Sequence, residues 1–569
     1  MKSSEHLSRR SFFGATGLAA ASLMTGLPLT RAWARHSQNG AGVAFEPGVA
    51  FEPDLALELT ARPQNVALRP GSATPVWSYD AKVLKGDAAS VRTHPHSTLG
   101  PTLHMRQSQK VRIDFVNELD QPSIVNWHGL HVPADMMGLP HYEVAPGKRY
   151  RYEFQVNDRA GTYWYHAMAA GHTPEQVYFG LAGLLIVSDD EEAALPLPRG
   201  EYDIPIVLQD RTWGQDNQLH YLAGTGPAAS RKPQTGDGST GQGGMMGGGM
   251  MPGGMGSMMT RMMGFFGDSI FVNGRPAPPI ELATHAYRLR VLNASNARTY
   301  KLAWKDGRLL TVIATDGGLL CEPVHKSYVM LTPGQRVELW ADFSGDAVGS
   351  DLSLMSESFS SMMNMGDMMS GSGLMGMMGG MMGGGNRMSM SSLPDGAAFP
   401  ILTAHIAHKV GNDLRLPAHL SNFERLSAQD AINQRDPRSF HVTMGHMQWG
   451  FNGRSFKMNS VAPDEIVRLG TTEVWEFVNS PMMAHAIHLH GLQFQVLERT
   501  GSPRNAGVTD GYVDEGWLDT VLIMPGERVK LIMRFADFTG LYAYQCHMLE
   551  HAAAGLMRDY EVQASRVST

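Results

Sequence analysis

Residues 105–117 read Met105-Arg106-Gln107-Ser108-Gln109-Lys110-Val111-Arg112-Ile113-Asp114-Phe115-Val116-Asn117. Val111, Ile113 and Phe115 alternate with Lys110, Arg112 and Asp114. Period two with charge on the off-beat marks a strand with one buried and one wet face. The phrase returns in type at 283–295 (ATHAYRLRVLNAS) and at 468–480 (RLGTTEVWEFVNS). Each is a polar edge, then an alternating strand, then Asn. The copies lie about 180 residues apart, which predicts three related β domains beginning near residues 45, 200 and 400. Arg336–Trp340 and Arg528–Met533 share the texture, and Gly, Pro, Asn and Asp turns separate the strands. No stretch sustains helical periodicity. The chain is therefore predicted to be all-β, built of sandwiches.

Composition narrows the function. The chain has 569 residues, 47 Lys and Arg against 54 Asp and Glu, and no basic block, which argues against a nucleic-acid partner. Two cysteines rule out a disulfide scaffold. Ser8-Arg9-Arg10-Ser11-Phe12 precedes a short apolar run, Gly14 to Leu29, and then Ala32-Trp33-Ala34. Residues 1–34 read as a twin-arginine export signal, too short and interrupted to span a bilayer. A periplasmic protein without stable membrane insertion is expected.

Thirty-eight methionines exceed what a core needs. Nine fall between Met245 and Met263 and thirteen between Met355 and Met390, inside Gly/Ser-rich segments 225–266 and 355–395. Such segments serve as plain linkers, but a linker has no use for thioether, a soft donor suited to Cu(I). The domain plan is then 45–195, 196–354 with the insertion 225–266, a Met-rich loop 355–395, and 396–569.

Two further stretches carry the chemistry: His485-Ala486-Ile487-His488-Leu489-His490, and Gln545-Cys546-His547-Met548-Leu549-Glu550-His551. A thiolate with two imidazoles and a weak or absent axial group is the donor set of a blue, type 1 copper. Cys546, His485 and His551 supply it.

With these motifs the chain resembles the multicopper oxidases, most nearly the bacterial periplasmic cuprous oxidases. "NWHGLHVP", "GTYWYHAMAAGHTPEQVYFGLAGLLIV", "FNGRSFKMN", "MMAHAIHLHGLQFQVLERTG" and "QCHMLEHAAAGLM" carry the likeness. It implies three cupredoxin-like Greek-key domains. It also implies a type 1 copper on His485, Cys546 and His551, with Leu556 at the axial position. The Cys546-His547 bridge would lead to a trinuclear cluster between the first and third domains. That cluster departs from the family, whose four His-x-His pairs give eight imidazoles. Asn126, Met168 and Gln545 stand where three of them belong. The likeness leaves one copper position complete, on His128, His166 and His547. His488 would remain for a type 2 copper, opposite Asn126. His490 would remain for the other type 3 copper, with Met168 and Gln545. The family's first proton-delivering acid falls on Met137, and the second is kept as Glu550. A full trinuclear cluster, and with it four-electron reduction of O2, is not expected.

The catalytic set implied is Cys546, His547 and Glu550. Met458 matches a ligand for substrate Cu(I), although Lys457 replaces the neighbouring Asp; Met365, Asp367 and Met368 are further candidates. Cys321, in an apolar run, is expected to be a buried structural thiol. His141 and His172 flank the cluster motifs as candidates to repair its ligand shell. The function expected is copper-dependent oxidation of Cu(I) or another small electron donor. The alternatives are a two-copper enzyme resembling nitrite reductases, and a non-enzymatic copper or electron carrier.

Overall fold

In a computed structural model, residues 51–222, 225–227, 260–361, 391–445, 448–481, 483–501 and 506–564 are described. The export signal 1–34, most of segment 225–266, and Met365, Asp367 and Met368 lie outside them.

The three repeated phrases form equivalent strands. Lys110–Asn117 runs parallel to Leu55–Val66, Ala286–Asn293 to Asp203–Trp213, and Thr471–Asn479 to Arg438–Gly445. The terminal Asn does the same work each time. Asn117 Nδ2 donates to the carbonyls of Gln121 and Val144, Asn293 Nδ2 to those of Arg298 and Leu331, and Asn479 Nδ2 to those of Met483 and Ile523. All three asparagines are fully buried, so each replaces water at carbonyls that would otherwise be left unpaired.

Around each phrase two sheets face one another. In the first domain the sheet Thr74–Lys85, Leu55–Val66, Lys110–Asn117, Arg149–Gln155 faces Val91–Arg92, Thr102–Arg106, Ala182–Ser188, Gly161–Ala167, Val125–His128. Tyr79 meets Tyr165, and Tyr152 meets Trp127, across the gap. In the third domain Gln448–Phe451, Arg438–Gly445, Thr471–Asn479, Arg528–Phe535, Phe494–Thr500 faces Ile466–Arg468, Met557–Gln563, Gly540–Cys546, His485–Leu489, Thr520–Ile523. The first and third domains share one continuous apolar core, whereas the middle domain has its own. Helices among the described residues are one or two turns long, as in Thr173–Tyr178 and Leu549–Ala553, and none is long and apolar enough to cross a membrane.

One boundary moves. Phe399–His408, assigned to the third domain on sequence, pairs with Asp351–Ser356 and Ile280–Ala283 in the middle domain. Leu420 still packs on Leu197 and Ile313, while Leu426 packs on Val474 and Ile532. The third domain therefore begins between Leu420 and Leu426. The Met-rich segment is an insertion between two paired strands of the middle domain, not a linker between domains. Cys321 is half-buried on the strand Gly318–Lys326, not enclosed as expected, because that strand ends its sheet.

Candidate metal centre

The candidate ligand residues sit on buried strands or one residue past their ends, except His551 on the helix Leu549–Ala553, and strand pairing brings them together. Asn126 lies opposite His166 and His128 opposite Trp164 in the first domain. Ile487 lies opposite Cys546 and His488 opposite Gln545 in the third. Because alternate residues share a face, His166 and Met168 point one way, as do Gln545 and His547.

Cys546 Sγ lies 3.6 Å from His485 Nδ1 and 3.7 Å from His551 Nδ1. Bonds of about 2.0–2.3 Å at 120° around one ion would set such edges at about 3.7 Å, so the three donors fit a trigonal copper. Burial pushes the Cys546 thiol up to about 12 and His551 down to about 3. Burial, then His551, lowers His485 well below the imidazole range. The two imidazoles are thus neutral donors, and a bound cation is needed to hold the thiolate. Trp449 packs on both rings, at 4.9 Å from His485 and 5.1 Å from His551. Leu556 is buried, and its carbonyl accepts from the Cys546 N–H at 2.9 Å. Met557 faces away: it pairs with Gln545 and lines a separate cavity.

His128, His166 and His547 form a second set, with donor atoms within 4.8 Å of one another. Hydrogen bonds choose which nitrogen is free. His166 Nδ1 donates to the Ala167 carbonyl at 2.9 Å, which leaves Nε2, 3.4 Å from His547 Nε2. His128 Nε2 donates to Asp519 Oδ1 at 3.0 Å, which leaves Nδ1 buried and unpartnered. Burial lowers His166 to about 4, and with neighbouring imidazoles it lowers His128 and His547 well below the usual range. Three neutral, converging, otherwise unsatisfied nitrogens fit a metal ion. Trp164 packs on all three rings.

In the remaining half Asn126 bonds a histidine directly: its Nδ2 lies 3.2 Å from His490 Nδ1 and donates to the Met137 carbonyl at 2.9 Å. His488 instead stacks on His128 with ring centres 3.8 Å apart, its Nδ1 donating to the Asp519 carbonyl at 2.8 Å. Met168 and Gln545 line a cavity of about 410 Å³ together with Met557, Met262, Phe456 and Arg261. Glu550 is buried; its Oε1 accepts from Tyr221 Oη at 2.7 Å and Asn296 Nδ2 at 2.9 Å, and burial outweighs these bonds to raise its carboxyl.

Neither flanking histidine joins a candidate metal group among the described residues. His141 Nε2 bonds Asp559 at 3.1 Å, and His172 pairs with Glu175. Met458 is exposed. Sequence reasoning missed Asp519, which also joins Arg336 at 2.6 and 2.8 Å and forms a third possible metal group with His128 and His488. Burial opposes its charge, yet Arg336 and then His128 hold it well below the carboxylate range. The available signal was an acid set in the apolar run Trp517-Leu518-Asp519-Thr520-Val521.

Two interlocked donor sets, carried by the first and third of three β-sandwiches, are the arrangement expected of a cupredoxin-like copper protein. Residues 76–192 and 431–566 match multicopper oxidase family models, which identifies the first and third domains as multicopper oxidase domains. The chain is 27% identical over 514 residues to a laccase of Bacillus stratosphericus, covering 83% of this chain and 90% of that one. It is also 27% identical over 566 residues to the cell division protein FtsP of Pectobacterium atrosepticum, covering 98% and 99%. The multicopper oxidase McoA of Aquifex aeolicus superposes with a TM-score of 0.69 at 27% identity, over 90% of this chain and 97% of the other.

Proposed function

We propose that this protein is an exported, periplasmic oxidoreductase with two copper centres that oxidises Cu(I), its substrate, in copper tolerance. The observation that carries this reading is that both complete donor sets meet at one peptide bond. Cys546 belongs to the first set, and His547 to the second. Copper held there would supply one-electron redox chemistry. Cys546 and its two Nδ1 partners hold the accepting centre, and the Cys546–His547 backbone offers a covalent route to the three-His set. The acceptor at that set is a small molecule rather than O2 carried to water, since Asn126, Met168 and Gln545 supply no imidazole. Glu550, buried with a raised carboxyl, would hold a proton inside the protein. The methionines of 355–395 would gather the substrate ion.

Copper counting after a soft chelator strips loosely held Cu(I) tests the reading. Two tightly bound coppers support it; four would restore a full cluster, and one or none would refute it. Deleting 362–390 should lower Cu(I) uptake while the visible spectrum stays. The likeness over nearly the whole chain to FtsP, by name a cell division protein, favours a second reading, a protein that uses this scaffold without turnover. Absence of Cu(I)-dependent reduction of any small acceptor by the two-copper form would favour that alternative.

A further inference from the structure

The amide of Asn126 does more than vacate a ligand position. It is fully buried, and its Nδ2 has two neighbours, the Met137 carbonyl at 2.9 Å and His490 Nδ1 at 3.2 Å. An amide NH2 has two hydrogens and no lone pair to offer, so both contacts are donations. Turning the amide over would set Oδ1 against the Met137 carbonyl and leave the NH2 where Oδ1 now has no partner. The present orientation is therefore fixed by its surroundings. His490 Nδ1 must then accept, and in a neutral ring the hydrogen moves to Nε2. His490 Nε2 is buried without a protein partner. His488 is the opposite case, because its Nδ1–H donates to the Asp519 carbonyl and its Nε2 carries the lone pair. The two rings stand 4.4 Å apart, and His488 stacks on His128 of the three-His set.

We infer that Asn126 holds His490 as an Nε2–H donor, converting a lost metal-ligand position into a hydrogen-bond donor for a small anion bound at the three-His set. A protonated nitrogen has no lone pair for a metal, so the same contact removes the last imidazole from the second type 3 position. Asn126 is in these terms a positioning residue: it acts on the anion only through His490. The anion's place rests on the two-centre reading above, whereas the hydrogen position does not.

Two measurements separate these parts. In metal-free protein labelled with 15N-histidine, the His490 signals, identified by their loss in His490→Asn, should show Nδ1 of pyridine type and Nε2 of pyrrole type. The reverse pattern in the unsubstituted protein overturns the inference. In copper-loaded protein, azide serves as the anion. Asn126→Asp replaces the donor with an acceptor, inverts the His490 pattern, and should weaken azide binding by about tenfold or more, the scale of one hydrogen bond to a charged group. The type 1 absorption reports that the variant is folded. Equal azide affinity in wild type and variant would remove the donor role. Failure of azide to bind even the wild type, with a single copper counted, would sink the two-centre reading and leave the 15N result to decide the hydrogen position.

Discussion

Cys546 and His547 are joined by one peptide bond, yet their side chains enter different donor sets. Cys546 Sγ lies 3.6 Å from His485 Nδ1, and His547 Nε2 lies 3.4 Å from His166 Nε2. The end of the strand Gly540–Cys546 makes this possible, since alternation sends neighbouring side chains to opposite faces.

Cys546→Ser should therefore abolish the intense visible absorption of the copper-loaded protein while the three-His copper remains. A hydroxyl cannot replace the soft thiolate. Absorption spectra and a copper count fall from two to one in the expected outcome; a variant that stays blue would exclude His485, Cys546 and His551 as the type 1 set.

Leu556→Met should lower the type 1 reduction potential, because an axial thioether stabilises the oxidised ion relative to a hydrocarbon. Spectroelectrochemical titration checks the sign. A rise would mean that Leu556, although buried beside Cys546, is not axial.

The metal-free protein should lose stability as pH falls below about 6.5. His166 and His551 have folded values of about 4 and about 3 against 6.5. Between those limits the unfolded chain binds more protons, so stability falls with falling pH, by about 1.4 kcal/mol per pH unit for each histidine. The contribution is intact above pH 6.5 and is lost progressively down to pH 3–4. Thermal melts from pH 7.5 to 4.5 measure it. Metal-free melts that do not fall with pH across that window would contradict the buried, neutral state of both rings.

Asn126→His, Met168→His and Gln545→His together should raise O2 consumption above that of the unmodified protein, and more so with Met137→Asp. Each single change should do little, because one added imidazole still leaves the coppers incomplete. The triple change also removes the Asn126 amide from His490 Nδ1. An oxygen electrode reads the result; rapid consumption by the unmodified protein would show that the present residues already suffice.

Much of this was legible in the sequence. The alternation of Val111, Ile113 and Phe115, repeated twice, marked the three sandwiches, because period two is a local property. The sets around Cys546 were legible because their spacing is short or the repeat places their strands. The boundary at 396 was not, since the partner of Phe399–His408 lies across the Met-rich insertion and pairing between distant strands leaves no local trace. Nor could spacing reveal that Asn126 bonds His490. That contact depends on the Met137 carbonyl and on Asp519 holding His488, contacts made by residues far apart in the chain.

Arg336, on a middle-domain strand, donates to the Thr162 carbonyl of the first domain and to the Asp519 carboxylate of the third. Asp519 in turn orients His128. One guanidinium thus ties all three sandwiches to a ring of the candidate three-His set. A nascent chain that has not yet made its last domain owns neither finished donor set, so metallation must follow translation of the whole protein. Loosening any one sandwich should therefore disturb the three-His set first, while the set on His485, Cys546 and His551, carried by one domain, holds longer, so an ion bound at the shared set would gauge how well the domains stay joined.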